Sequence, residues 1–168
     1  MQVKQKKKRN KGFCIFAFGA KKMQGISKRS IESALVKMVS DADEDLCYVI
    51  TGSVRETEKA VYFVCRKRHF PVTTIPADFE KFSVNAEHLR NGAVLAYFKP
   101  SKILIAHTEP EEESVVKALL SWAKKNGSEV TVIPKKAAVT ARTHARDLES
   151  FAVRNRIVQN SKRGLGLS

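Results

Sequence analysis

The chain has 168 residues, 43% of them hydrophobic, which suits a single domain with a real core and excludes disorder throughout. No apolar run approaches the ~20 residues that span a bilayer, and Phe13–Phe18 is too short for the core of a signal peptide, so a cytoplasmic protein is expected, or one of host cytoplasm or particle if the source is a virus. The net charge of +14 is unevenly placed: residues 1–29 hold ten Lys/Arg and no acid, residues 30–134 hold thirteen against fifteen acids, and residues 135–168 hold eight against two.

In chain order, residues 1–11 form a basic arm. Its Lys4, Lys6, Lys7, Lys8, Arg9 and Lys11 are candidates for contact with nucleic acid or an acidic protein surface, because each neutralised phosphate releases counterions. A solubilising tail that binds nothing in particular is the alternative. Phe13–Phe18 then reads as a buried strand closed by Gly19. Ser27 or Ser30 caps a first helix, whose apolar face carries Ile31, Ala34, Leu35, Met38 and Val39. After an acidic turn, Leu46–Thr51 is a second strand closed by Gly52. Ala60, Val61, Val64 and Cys65 stripe a second helix that ends on cations. Val72–Ile75 is a third strand, stopped by Pro76.

A third helix is expected over 84–98, with Ala86, Leu89, Ala93 and Ala96 inward, followed by a fourth strand, Ile103–Ala106. A helix over 111–125 has acids in its first turn, Lys124 and Lys125 in its last, and Gly127 as its stop. Val130–Ile133 is the fifth strand. Beyond Pro134 lies a basic segment, 135–168, with an amphipathic helix expected over 140–159 and a loose tail. That helix packs on its own domain or bridges to a second copy as a homo-oligomer. Arg154, Arg156, Lys162 and Arg163 are its nucleic-acid candidates.

Strands alternating with amphipathic helices imply a doubly wound α/β domain over 12–134, Rossmann-like, with five mainly parallel strands in the order 3-2-1-4-5. Ligands of such sheets sit at the carboxyl ends of the strands. Gly19 and Gly52 allow close backbone approach there, Lys21, Arg55 and Arg90 supply cations, and Asp78 can accept from a sugar hydroxyl. The set suits a nucleotide or nucleotide-like anion. Arg90 and Asn91 have a second reading, as a pair that holds the preceding loop. No dinucleotide fingerprint, phosphate-binding Gly-Lys-Ser/Thr loop or nucleophile elbow is present. Cys14, Cys47 and Cys65 read as buried small hydrophobes, and the four scattered histidines propose no metal.

The motif order resembles the SLOG superfamily, in particular its YspA-type branch, over roughly Phe13 to Pro134. The resemblance lies in Phe18-Gly19-Ala20-Lys21, in Ile50-Thr51-Gly52-Ser53-Val54-Arg55, and best in Pro76-Ala77-Asp78-Phe79 followed by Arg90-Asn91. It implies a nucleotide-type ligand held by Gly19, Lys21, Gly52, Ser53, Arg55, Asp78, Arg90 and Asn91. The family's later glycine-rich turn is replaced by Thr108-Glu109-Pro110-Glu111-Glu112-Glu113, whose carboxylates repel phosphate and are read first as caps of the following helix, so phosphoribohydrolase activity is not implied. A binding domain is therefore expected. An accessory protein of a nucleoprotein or virus assembly with a decayed pocket is the alternative, and a hydrolase using Glu56 or Asp78 as base comes last.

Overall fold

The computed structural model of the chain describes residues 12–134. The basic-arm candidates Lys4 to Lys11, the expected helix over 140–159 and its Arg154, Arg156, Lys162 and Arg163 lie outside the described residues. Five strands form one sheet: β1 (Phe13–Gly19), β2 (Leu46–Thr51), β3 (Val72–Thr74), β4 (Lys102–Ala106) and β5 (Glu129–Ile133). Every pairing is parallel and the order is β3-β2-β1-β4-β5, a Rossmann-like arrangement. The helices are α1 (Lys28–Ser40), α2 (Glu56–Lys67), the one-turn α3 (Phe79–Phe82), α4 (Ala86–Phe98) and α5 (Ser114–Asn126).

The period of two along β1 divides the core. Phe13, Ile15 and Ala17 point to one layer with Ile31 and Leu35 of α1 and Val61 and Val64 of α2. Cys14, Phe16 and Phe18 point to the other, with Val94 of α4 and Val116 and Leu119 of α5. Both faces of the central strand are thus dry, as a continuous apolar run requires. Burial of each such Leu, Ile, Val or Phe is worth about 1.5–3 kcal/mol.

Local chemistry sets the helix ends. Ser27 is the cap of α1: its Oγ accepts from the Ser30 N–H at 3.0 Å, while Ser30 Oγ accepts from the Ser27 N–H at 3.2 Å. Gly127 closes α5 in the left-handed region at φ 69°, and the predicted lysines occupy the last turn.

Three expectations are corrected. Leu89, Ala93 and Ala96 face outward, and α4 buries Ala86, Glu87, Arg90, Asn91, Val94 and Leu95 instead. Polar residues occupy half of that buried face, so a reading by apolar content picks the wrong side. The last long helix begins at Ser114, with Glu113 as its extended cap residue and Glu111 and Glu112 in the preceding turn. Finally, Cys47 is exposed while Cys14 and Cys65 are buried; the first half of β2 extends past its helical cover.

Candidate functional site

The strand order reverses between β1 and β4, and the crevice expected there lies at Gly19, Ala20, Ala106 and His107. Backbone closes its floor: the Ala20 N–H donates to the Ala106 carbonyl at 2.8 Å. A Cβ on Gly19 would lie 2.3 Å from that same oxygen and 2.9 Å from Thr57 Oγ1. Glycine is needed here so that the chain can pack against itself.

Arg55 fills the space above. It precedes α2 and is 2% exposed. Its Nη1 donates to the Gly19 carbonyl at 2.8 Å, its Nε and Nη2 form a fork on Glu87 of α4, and Nη2 also reaches Glu113. The guanidinium lies over the Phe18 ring, 4.4 Å from its centroid. Burial opposes the charge on Arg55, but the hydrogen bonds it donates to Glu87 and Glu113, with their negative charges, raise its pKa beyond the ordinary value. Burial by itself would raise the two carboxyls, and the Arg55 hydrogen bonds and charge hold both below the usual carboxylate range.

Glu113 also binds His107, whose Nε2 lies 3.0 Å from Oε2. His107 Nδ1 accepts from the Glu109 N–H at 3.0 Å, so the ring proton belongs on Nε2, directed at the carboxylate.

A second cluster lies beside the first. Glu58, in the first turn of α2, accepts the N–H groups of Val54 and Arg55, each at 3.1 Å, with Oε2. Its Oε1 takes Nη2 of Arg90 at 2.7 Å, and the rest of Arg90 binds the Ile75 carbonyl and Asn91 Oδ1. The Arg90 guanidinium also lies over Phe18, at 5.7 Å. Asn91 Nδ2 is buried with no hydrogen-bond partner among the described residues. A Cβ on Gly52 would lie 2.2 Å from both Arg90 Nη1 and Glu58 Oε1.

The start of α2 is the place where a parallel sheet of this kind presents N–H groups to an anion. Here the chain's own Glu58 takes that position, so a carboxylate stands where a phosphate would. Five predicted site residues, Gly19, Gly52, Arg55, Arg90 and Asn91, come together in this paired cluster. Arg90 ties α4 to the end of β3 through Ile75, the contact required by the loop-holding reading. Lys21, Ser53 and Asp78 stay outside it and exposed. Asp78 caps α3, its Oδ1 accepting from the Lys81 N–H at 3.0 Å. Glu56, the other candidate base, accepts from the Met23 N–H at 2.9 Å.

Glu58, Glu87 and Glu113 are the ion-pair partners of Arg55 and Arg90 that the sequence reading did not single out. A signal was present. Glu58 stands three and seven residues before Val61 and Cys65, and Glu87 three, four and seven before Arg90, Asn91 and Val94, so both lie on the buried stripes of their helices. An acid on such a stripe demands a cation.

No group of three or more His, Cys, Asp or Glu among the described residues is placed to hold a metal ion. No helix there is long and apolar enough to cross a membrane. Compared with protein-family models, curated proteins and solved structures, the chain matches none.

Proposed function

We propose that the chain is a non-catalytic nucleic-acid-binding protein, in which a Rossmann-like core carries basic segments that meet a polyanion. The separation of charge carries this reading: eighteen of the 31 Lys/Arg fall in residues 1–29 and 135–168, against two of the 17 acids. Phosphate backbones reward that arrangement through counterion release. An accessory place in a nucleoprotein or virus assembly fits the same pattern. The pairing of Arg55 and Arg90 with internal carboxylates supports a structural role for the strand ends, since few guanidinium N–H groups are left for a ligand.

The test is binding of a fluorescent oligonucleotide by the full chain across a salt series, beside a variant with the six N-terminal basic residues changed to serine. A steep loss of affinity with salt, made shallower in the variant, is the expected result. Equal slopes for both proteins would remove the arm from the binding surface.

Lys21, Ser53 and Asp78 remain exposed at the carboxyl end of the sheet, which supports a second reading, a SLOG-like nucleotide ligand. A thermal-shift panel of nucleotides checks it. Absence of stabilisation at millimolar concentration would sink it.

A further inference from the structure

Residues 28–134 hold fifteen Lys/Arg and fifteen acids, yet the α1–α2 layer departs from that balance. Its two helices and the residue after each carry Lys28, Arg29, Lys37, Lys59, Arg66, Lys67 and Arg68 against Glu32, Asp41, Glu56 and the buried Glu58. The loop before α5, by contrast, carries Glu109, Glu111, Glu112 and Glu113.

Two large aromatic rings sit among them. Tyr62 is 42% exposed and Phe63 is 53% exposed. Helical spacing places Lys59, Tyr62, Phe63, Arg66 and Lys67 on one outward stripe of α2. Between this stripe and α1 runs a groove of about 680 Å³. Its lining includes Lys28, Arg29, Lys67, Arg68 and Phe63, with Glu32 as its one carboxylate. Glu32 ties the two helices together, bonding Lys67 at 3.1 Å and also Arg68. Lys28 Nζ stands 4.4 Å above the Phe63 ring.

Cations alone would fit any polyanion. Aromatic rings left at the surface between them fit one whose backbone is anionic and whose side groups present flat π-faces. Nucleobases provide those faces only when unpaired, because in a duplex they are stacked on one another. A phosphate passing the groove would draw Lys28 from the Phe63 ring and free that face for a base. We propose that the α1–α2 face binds single-stranded nucleic acid, with the groove cations on the backbone and Phe63 and Tyr62 stacking on bases. The proposal rests on the nucleic-acid reading above and names both the surface and the kind of strand.

The full chain is titrated with labelled single-stranded DNA and RNA of one sequence, with the corresponding duplex, and with heparin as a polyanion without bases. The paired variant Tyr62→Ala, Phe63→Ala removes rings that are largely outside the core. It is expected to weaken single-strand binding by at least roughly 30-fold, while duplex and heparin binding change less than about twofold. The variant Phe63→Trp should retain single-strand affinity, and its added emission should be quenched by the single strand and not by heparin. Unchanged single-strand affinity in the alanine pair, with loss in the N-terminal serine variant, would overturn the stacking face and leave the basic arm standing. Equal loss toward single strand, duplex and heparin would also overturn it, in favour of charge alone or an acidic protein partner. A wild-type chain that binds none of the three would remove both readings together.

Discussion

Arg90 of α4 meets Glu58 of α2 at 2.7 Å, with their side chains 4% and 1% exposed. Two charges out of water gain little net stability as a pair, yet each is costly without the other. Arg90→Met should therefore cost about 3–5 kcal/mol in a urea denaturation, because it strands the Glu58 carboxylate. The double variant Arg90→Met, Glu58→Gln should cost less than the sum of the singles. An additive cycle would mean that the two groups are not energetically coupled.

The Arg55 cluster makes stability depend on acid. Glu87 and Glu113 titrate below the ordinary range when folded, whereas in the unfolded chain each takes up its proton near pH 4.3. Their contribution is complete above that unfolded value and is lost as pH falls through the lower folded values. The melting temperature should hold at neutral pH and drop steeply below about pH 4. Glu87→Gln should lower it at pH 7 and flatten the acid decline.

Three glycines answer differently to alanine. Gly52→Ala should destabilise by at least about 1–3 kcal/mol, since the added carbon falls on Arg90 and Glu58. Gly127→Ala meets no atom within 4 Å, but its φ of 69° costs about 1 kcal/mol. Gly92→Ala, inside α4 and facing open space, should stabilise by about 0.5–1 kcal/mol. Thermal melts of the three variants would give the ranking.

The cysteines should separate by reactivity. Cys47 is exposed, while burial pushes the Cys65 thiol up to about 12 and raises that of Cys14 as well. A maleimide pulse on the native protein, read by mass spectrometry, should label Cys47 first and Cys65 only after unfolding.

The strands and their order were legible because most are short apolar runs with Gly, Pro or acid close by, and right-handed crossovers leave few topologies. The stripes of α1 and α2 were legible for the same reason, being apolar at helical period. The face of α4 was not, since its buried positions include Glu87, Arg90 and Asn91 while Leu89 is 49% exposed. Hydropathy ranks single residues, and these polar side chains become core residues only through partners on other elements. Gly19, Gly52, Arg55, Arg90 and Asn91, grouped in the sequence as strand-end residues, do lie together. Their carboxylate partners were not legible, because Arg55 and Arg90 look alike in sequence whether they await an anion or already hold one.

The central strand has a kinetic consequence. β1 is bonded to β2 on one edge and to β4 on the other, and both its surfaces lie under helices. Its inner amides therefore have no local route to solvent, and their deuterium uptake should report the opening of the whole sheet. The three-residue edge strand β3, half covered at best, can fray alone and exchange much sooner. The slowest and fastest strands of this sheet thus differ by position in the stack more than by composition.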